Sequence, residues 1–304
     1  RVGTLPVNLI GRSPMATYEH ITVRPIAGAL GGEISGVDLA DLSDAAFTEI
    51  RRAWLEHLVV FLRDQDITPE QQIAFAKRFG DIHLHPFMKS MDEYPEILEI
   101  IKTETDTRSF GSTWHTDQMF NPKPAMATIL YARETPAAGG DTMFANGYLA
   151  YETLSEGMKK MAEGLRTWNV GDRNKLTNYD RHGDLEKGRY EGNPVMAAKV
   201  KDPGDLVTET DHPLVRTHPE TGRKALYIGN HTQSLKGFTE AEARPILDYL
   251  KAHAVQPELT CRFAWAPGSM AIWDNRCTQH RALNDYPGQR RRMHRITIAG
   301  DATH

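Results

Sequence analysis

The longest apolar runs of this chain, such as Leu58–Leu62 and Ala125–Ala132, have the length of single β-strands. None approaches the roughly 18–20 apolar residues of a membrane span, and runs this short are buried by pairing into sheets. The chain is therefore expected to be β-rich and not membrane-embedded. Arg1–Thr17 lacks an initiating Met and an uninterrupted apolar stretch, so it does not read as a secretory signal. Residues 1–18 are expected to be a flexible lead-in, with Met15 a candidate natural start.

Between the strands lie a few helices with clear start signals. Asp41 and Ser43 can cap a helix over Ala45–His57, with Phe47, Ile50, Trp54 and Leu55 at helical spacing before the strand Leu58–Leu62. Thr68-Pro-Glu-Gln repeats the signal and leads Ile73, Phe75, Ala76 and Phe79 into a helix that stops at Gly80. Further helices are predicted over Ala150–Met161 and Thr239–His253. Strands are predicted at Ile21–Ile26, within Ala29–Leu39, and at Ile97–Ile101, Ala125–Ala132, Leu214–Thr217, Lys224–Ile228, Thr260–Trp265, Ser269–Asp274 and Arg295–Ala299, with a turn at Gly139-Gly140. Residues 171–211 are polar with few apolar anchors, the pattern of a lid, a binding loop or a solvated insertion. No linker divides the rest, so residues 19–304 are expected to form a single domain.

Lys plus Arg number 36 against 40 Asp plus Glu, a net charge of −4. This lacks the cationic excess that general nucleic-acid or membrane-surface binding relies on. The two cysteines, Cys261 and Cys277, cannot build a disulfide framework and suit reduced thiols in a cytoplasmic protein.

Chemistry enters at Ser112-Thr-Trp-His-Thr-Asp-Gln-Met-Phe120, where His115 and Asp117 are one residue apart. On an extended strand such positions share a face. With a second imidazole they make the two-His-one-carboxylate set of non-haem Fe(II) oxygenases, which leaves coordination positions open. His-x-Asp alone is weak, since about one match is expected by chance in a chain with this many histidines. A second match, His182-Gly-Asp184, sits in the polar stretch and reads as a decoy. Alone, His115 equally suits a hydrogen-bonded core histidine beside a turn Asp. At the other end, Trp273-Asp-Asn-Arg-Cys-Thr-Gln-His280 sets a histidine just after a strand ending, and Arg295 opens the last strand. An Arg fork so placed suits the distal carboxylate of an iron-chelating 2-oxo acid.

The chain resembles the taurine dioxygenase family, the Fe(II)- and 2-oxoglutarate-dependent group that also holds alkylsulfatases and aryloxyalkanoate (2,4-D-type) dioxygenases. The resemblance spans roughly residues 20–301. It rests on Trp-His-Thr-Asp at 114–117, Gly-Gly-Asp-Thr at 139–142, His-Pro-Leu-Val-Arg-Thr-His-Pro at 212–219, Gly-Arg-Lys-Ala-Leu at 222–226, Trp-Asp-Asn-Arg-Cys-Thr-Gln-His at 273–280 and Arg-Met-His-Arg-Ile-Thr-Ile at 292–298. It implies a mainly β fold with flanking helices, a double-stranded β-helix (jelly roll) of the clavaminate synthase-like kind. It also implies iron ligands His115, Asp117 and His280, and 2-oxoglutarate contacts from Thr142, Arg291 and Arg295, with Arg295 the main carboxylate anchor. Fe(II) and dioxygen would act with 2-oxoglutarate as cosubstrate, giving succinate, carbon dioxide and a hydroxylated product. Relatives form dimers and tetramers, so a homo-oligomer is implied.

For the primary substrate, His85 matches a histidine that contacts the sulfonate in taurine enzymes, and with Arg295 it points to an anionic head group. Met88, Gly111 and Gln118 depart from the taurine pattern: Met88 replaces an aromatic hydroxyl, Gly111 an amide and Gln118 a small apolar residue. A site built for a polar amine does not tolerate loss of its partners. The expected substrate is thus a small organic anion of the sulfonate, sulfate ester or aryloxyalkanoate/carboxylate class, with release of sulfite, sulfate or phenol after the hydroxylated product collapses. Taurine itself is the alternative, and a jelly-roll metal-binding protein without turnover is the rival from another class. Zinc hydrolysis would need a general base that the sequence does not locate.

Overall fold

The computed structural model describes residues 17–171, 192–201 and 207–303. In chain order the strands of the first half are β1 (Thr22–Pro25), β2 (Gly32–Ser35), β3 (Val59–Leu62), β4 (Leu98–Lys102), β5 (Ala127–Glu134), β6 (Thr142–Asn146) and β7 (Arg166–Val170). Those of the second half are β8 (Glu209–Pro213), β9 (Val215–Thr217), β10 (Lys224–Leu226), β11 (Thr232–Leu235), β12 (Thr260–Phe263), β13 (Met270–Asp274), β14 (Thr278–Ala282) and β15 (Arg291–Ile298). The helices are α1 (Asp44–His57), α2 (Pro69–Lys77), α3 (Gly147–Glu152), α4 (Glu156–Glu163), α5 (Pro194–Ala198) and α6 (Glu240–Ala254).

A seven-stranded sheet runs β1-β2-β3-β13-β5-β15-β4 and faces a three-stranded sheet β12-β6-β14. Period-two alternation divides the large sheet's side chains between two cores. Val60, Leu62, Ile129, Tyr131, Met270, Ile272, Ile296 and Ile298 point outward onto Ile50, Ala53, Trp54, Phe75 and Ala76 of α1 and α2. Val59, Phe61, Leu130, Ala132, Ala271, Trp273 and Met293 point inward and meet Phe144, Cys261 and Phe263 of the small sheet. This is the jelly-roll sandwich. On β15 the same alternation sends Arg291, Met293 and Arg295 to the inner face, opposite the apolar positions that hold the helices.

The helix starts follow their capping residues. Ser43 accepts the Ala46 N–H at the head of α1, and Thr68 and Thr239 form reciprocal capping boxes with Gln71 and Glu242. The predicted helix over Ala150–Met161 is two, because Asn146 caps α3 and Ser155 starts α4. The last strand begins at Arg291, four residues before Arg295, and His280 lies within β14 and not after a strand end. Strands β6, β7, β8, β11 and β14 go beyond those that the sequence pattern predicts. Of the polar stretch 171–211, residues 172–191 and 202–206, including His182 and Asp184, lie outside the described residues; the others include α5 and part of β8. Of the lead-in at 1–18, residues 1–16 lie outside them. No helix among the described residues is long and apolar enough to cross a membrane.

Candidate metal and 2-oxoglutarate site

His115 and His280 meet along the edge of β14 by a two-way backbone bridge: His115 N–H donates to His280 O at 3.1 Å, and His280 N–H to His115 O at 2.8 Å. Strand β14 therefore carries His280 to the loop after Trp114, and the two rings lie 4.1 Å apart. Asp117 completes the group, with Oδ1 3.6 Å from His115 Nε2 and 3.8 Å from His280 Nε2. All three side chains are buried, and one donor atom from each lies within 4.8 Å of the others.

Protonation suits metal binding. The Nδ1 of His115 lies 2.7 Å from the Thr113 carbonyl, which holds the proton there and turns the Nε2 lone pair toward Asp117. Burial, and then the neighbouring His115, depress the His280 pKa well below the usual histidine value, so its imidazole is neutral. Its Nδ1 finds no protein acceptor; the ring is fixed by packing 4.5 Å from Trp273. Burial pushes the Asp117 carboxyl up, but the Arg295 guanidinium, with a hydrogen bond from Thr128, outweighs it and holds the group well below the usual carboxylate range. Donors about 2.1 Å from one ion at right angles sit about 3 Å apart. The observed separations of 3.6 and 3.8 Å need an inward shift of well under 1 Å, so the group fits a divalent transition ion.

A cavity opens beside the three residues, lined by Ile100, Phe110, Gly111, His115, Leu130, Thr142, Trp273, His280, Ala282, Arg291 and Arg295. Gly111 holds φ +76°, a left-handed conformation that favours glycine, and a Cβ there would lie 3.3 Å from His115 Cε1. The two arginines occupy different depths. Arg295 Nη2 sits 2.9 Å from Asp117 Oδ1, an ion pair whose alignment leaves Nε and Nη2 without a hydrogen-bond acceptor. Arg291 lies over the Trp265 ring, whose indole N–H donates to Thr142 Oγ1 at 3.0 Å. Its Nε and Nη2 are buried with no acceptor, and burial lowers its pKa. Thr142 follows the predicted turn at Gly139-Gly140, where both φ angles are positive.

The residues expected to touch primary substrate are less concentrated. Gly111 and Arg295 line the cavity, whereas His85, Met88 and Gln118 are not among its lining residues. Met88 is fully buried with Leu98 and Met196 beside Phe110. His85 is half-buried and accepts the Phe87 N–H at Nδ1. Gln118 is buried at φ +53°, with its Nε2 unpartnered. Trp273, Leu130 and Ile100 line the cavity although no sequence motif marks them for it. Strand alternation would have placed Trp273 and Leu130 on the inner face; Ile100 gives no sequence signal.

A second buried group, His218, Asp274 and Cys277, also brings donor atoms within 4.8 Å. It is a structural network. His218 Nδ1 accepts the N–H groups of Glu220 and Thr221, so Nε2 carries the proton and donates to Asp274 Oδ2 at 3.0 Å. Both Asp274 oxygens also take the Arg276 fork, and Arg276 reaches on to Glu220. No lone pair of His218 or free carboxylate oxygen is left for a metal.

The family model for the taurine catabolism dioxygenase TauD, TfdA family matches residues 22–297. An alpha-ketoglutarate-dependent sulfate ester dioxygenase of Pseudomonas putida is 34% identical over 297 residues, covering 96% of this chain and 95% of that protein. An (S)-phenoxypropionate/alpha-ketoglutarate-dioxygenase of Sphingobium herbicidovorans is also 34% identical, covering 92% and 95%. A crystal structure of a taurine dioxygenase from Burkholderia xenovorans superposes with a TM-score of 0.76 at 35% identity, covering 94% of this chain and 93% of that one. The chain belongs to the taurine catabolism dioxygenase TauD, TfdA family, and with it to the Fe(II)- and 2-oxoglutarate-dependent dioxygenases.

Proposed function

We propose that this dioxygenase hydroxylates a small organic anion of the sulfonate, sulfate ester or aryloxyalkanoate/carboxylate class, releasing sulfite, sulfate or phenol when the product collapses. The observation that carries this reading is the convergence of two buried guanidiniums, Arg291 and Arg295, on the cavity that His115 and His280 also line. His115, Asp117 and His280 would hold the iron through two neutral nitrogens and one oxygen. Iron with 2-oxoglutarate and dioxygen supplies the oxidising power, converting the 2-oxo acid to succinate and carbon dioxide as a C–H bond of the substrate is hydroxylated.

The ion pair of Arg295 with Asp117 supports a division of the roles expected of the two arginines. Arg291, beside Thr142 and away from Asp117, suits the distal carboxylate of 2-oxoglutarate; Thr142 Oγ1 accepts from Trp265 and keeps its own hydrogen to donate. Arg295, next to Asp117, suits the anionic head of the primary substrate near the metal. The walls Ile100, Phe110, Leu130 and Trp273 exclude water and accept an apolar body. The missing side chain at Gly111, which lines the cavity, leaves an amine end without a partner there, and Met88, packed with Leu98 and Met196 off the cavity lining, supplies none, which disfavours taurine. His85 and Gln118 belong to this reading as contacts that substrate binding would complete. So do a single domain from residue 19 to 304, a homo-oligomer of two or four copies, and a cytoplasmic location away from nucleic acid and membrane.

Succinate formation across a panel of sulfonates, sulfate esters, aryloxyacids and plain carboxylates tests the proposal. Sulfate esters or aryloxyacids are expected to lead, and taurine as the best substrate would overturn the argument from Met88 and Gly111.

A further inference from the structure

Asp117 offers a metal one oxygen only if its other oxygen is occupied. Thr128 Oγ1 lies 2.7 Å from Asp117 Oδ2 and donates to it. Thr128 is on β5 with no solvent exposure, its side chain on the inner face with Leu130 and Ala132. What makes that hydroxyl donate is Asn275, fully buried in the turn between β13 and β14. Asn275 Oδ1 accepts the Trp273 indole N–H at 3.0 Å and the Asp117 backbone N–H at 3.3 Å, so its amide can face only one way. Asn275 Nδ2 then donates to Thr128 Oγ1 at 3.0 Å. A hydroxyl has one hydrogen, and an oxygen that receives an N–H must turn that hydrogen elsewhere. Here it turns to Asp117 Oδ2.

We propose that Thr128 and Asn275 are positioning residues that hold the Asp117 carboxylate to one ligating oxygen, which rests on the metal site described above. Asn275 grips Asp117 twice, at its backbone N–H directly and at Oδ2 through Thr128. Oδ1 alone is left toward the imidazoles of His115 and His280. Without the Thr128 hydrogen bond the carboxylate could turn and present both oxygens, occupying a position that 2-oxoglutarate or dioxygen needs. A further hydrogen bond, Thr116 Oγ1 to the Asn275 carbonyl at 2.7 Å, fixes the backbone of the same loop to the same turn.

The test uses the full chain and the variants Thr128→Val, Thr128→Ser and Asn275→Ala, each checked for folding by its melting curve. Anaerobic titration with Co(II) reads affinity and ligand geometry through the visible spectrum. Anaerobic Fe(II) with 2-oxoglutarate then reads the charge-transfer band. Thr128→Val, which keeps shape and removes the hydroxyl, is expected to bind Co(II) about 10- to 100-fold more weakly and to change both spectra. Thr128→Ser is expected to restore them, and Asn275→Ala to move them in the same direction as Thr128→Val. A Thr128→Val protein that binds Co(II) within twofold of the parent, with an unaltered spectrum, overturns the proposal. So does a Ser variant that binds no better than Val. If Thr128→Val does not fold, Asn275→Ala is read by the same two measurements, and parent-like binding with an unaltered spectrum overturns the proposal in the same way. Failure of the parent itself to bind Co(II) would instead refute the metal site, and the positioning role with it.

Discussion

Replacing Arg291 by Met should change ligand affinity and ligand-free stability in opposite directions. The side chain is 5% exposed, its Nε and Nη2 have no acceptor, and burial already depresses its pKa. The folded protein thus holds a poorly compensated cation, for which the distal carboxylate of 2-oxoglutarate is the proposed partner. Removing one member of a buried, hydrogen-bonded charge pair costs about 2–5 kcal/mol of binding. At about 1.4 kcal/mol per tenfold, 2-oxoglutarate should bind about 30- to 4,000-fold more weakly. Without ligand the sign reverses: a methionine of similar length keeps the contact with Trp265 and removes an ion that is costly to bury, so the variant should unfold no sooner than the parent and gain about 1 kcal/mol or more. Anaerobic calorimetric titration with 2-oxoglutarate measures the first effect, and thermal unfolding with and without 2-oxoglutarate measures both. The parent's melting temperature should rise steeply with ligand and the variant's should not, because stabilisation follows ligand concentration over Kd. A variant that binds 2-oxoglutarate within threefold of the parent, or that keeps the ligand-induced rise, would refute the assignment of Arg291.

Three further outcomes are expected. Burial pushes His212 down to about 4, partly opposed by its hydrogen bonds to the Met119 and Asn121 carbonyls. The unfolded chain, with an ordinary histidine pKa of about 6.5, therefore binds more protons between these values; the stability is present above about pH 6.5 and is lost as pH falls toward 4. His212→Gln should flatten that slope in melting temperature against pH, and an unchanged slope would count against this role for His212. Gly111→Ala places a Cβ 3.3 Å from the His115 ring at a positive φ, at a cost of about 1–2 kcal/mol, and should impair bulky aryloxy substrates more than small sulfonates in a succinate assay. Arg276→Met strips the buried Asp274 of its fork and should cost about 3–5 kcal/mol in denaturant unfolding; a loss below 1 kcal/mol would contradict the network.

Local chemistry made part of this fold readable. Ser43, Thr68 and Thr239 announce their helices because the signal, a side chain accepting a backbone N–H, is contained within four residues. Apolar strands such as β3 and β13 are readable because both faces are buried. The polar strands are not: Thr-Gln-His-Arg-Ala of β14 and the opening Arg-Arg of β15 become strands through partners far away in sequence. Thr278 pairs with Asn146, and Arg291 with Lys102. The same holds at the site. The structure brings His115, Asp117 and His280 together as the resemblance implied, while the depths of Arg291 and Arg295 depend on register within the sheet. Asn275 stands inside a recognisable motif with no role legible there, because its role is a set of contacts to Asp117, Trp273 and Thr128, two of them distant in the chain.

The closeness of Arg295 to Asp117 also bears on the order in which ligands arrive. With iron in place, two guanidiniums and a dication stand against one carboxylate, a surplus of three positive charges in a site largely closed to water. Before metal binds, Arg295 and Asp117 neutralise each other. A metal held by Asp117 Oδ1 would draw that counterion away from Arg295 and leave its guanidinium to receive another anion. A 2-oxoglutarate dianion cancels two of the three charges, and a singly charged substrate cancels the last. The primary substrate should therefore bind poorly to the metal-free protein and tightly only after metal and cosubstrate, with singly charged sulfonates, sulfate monoesters or carboxylates preferred over dianions.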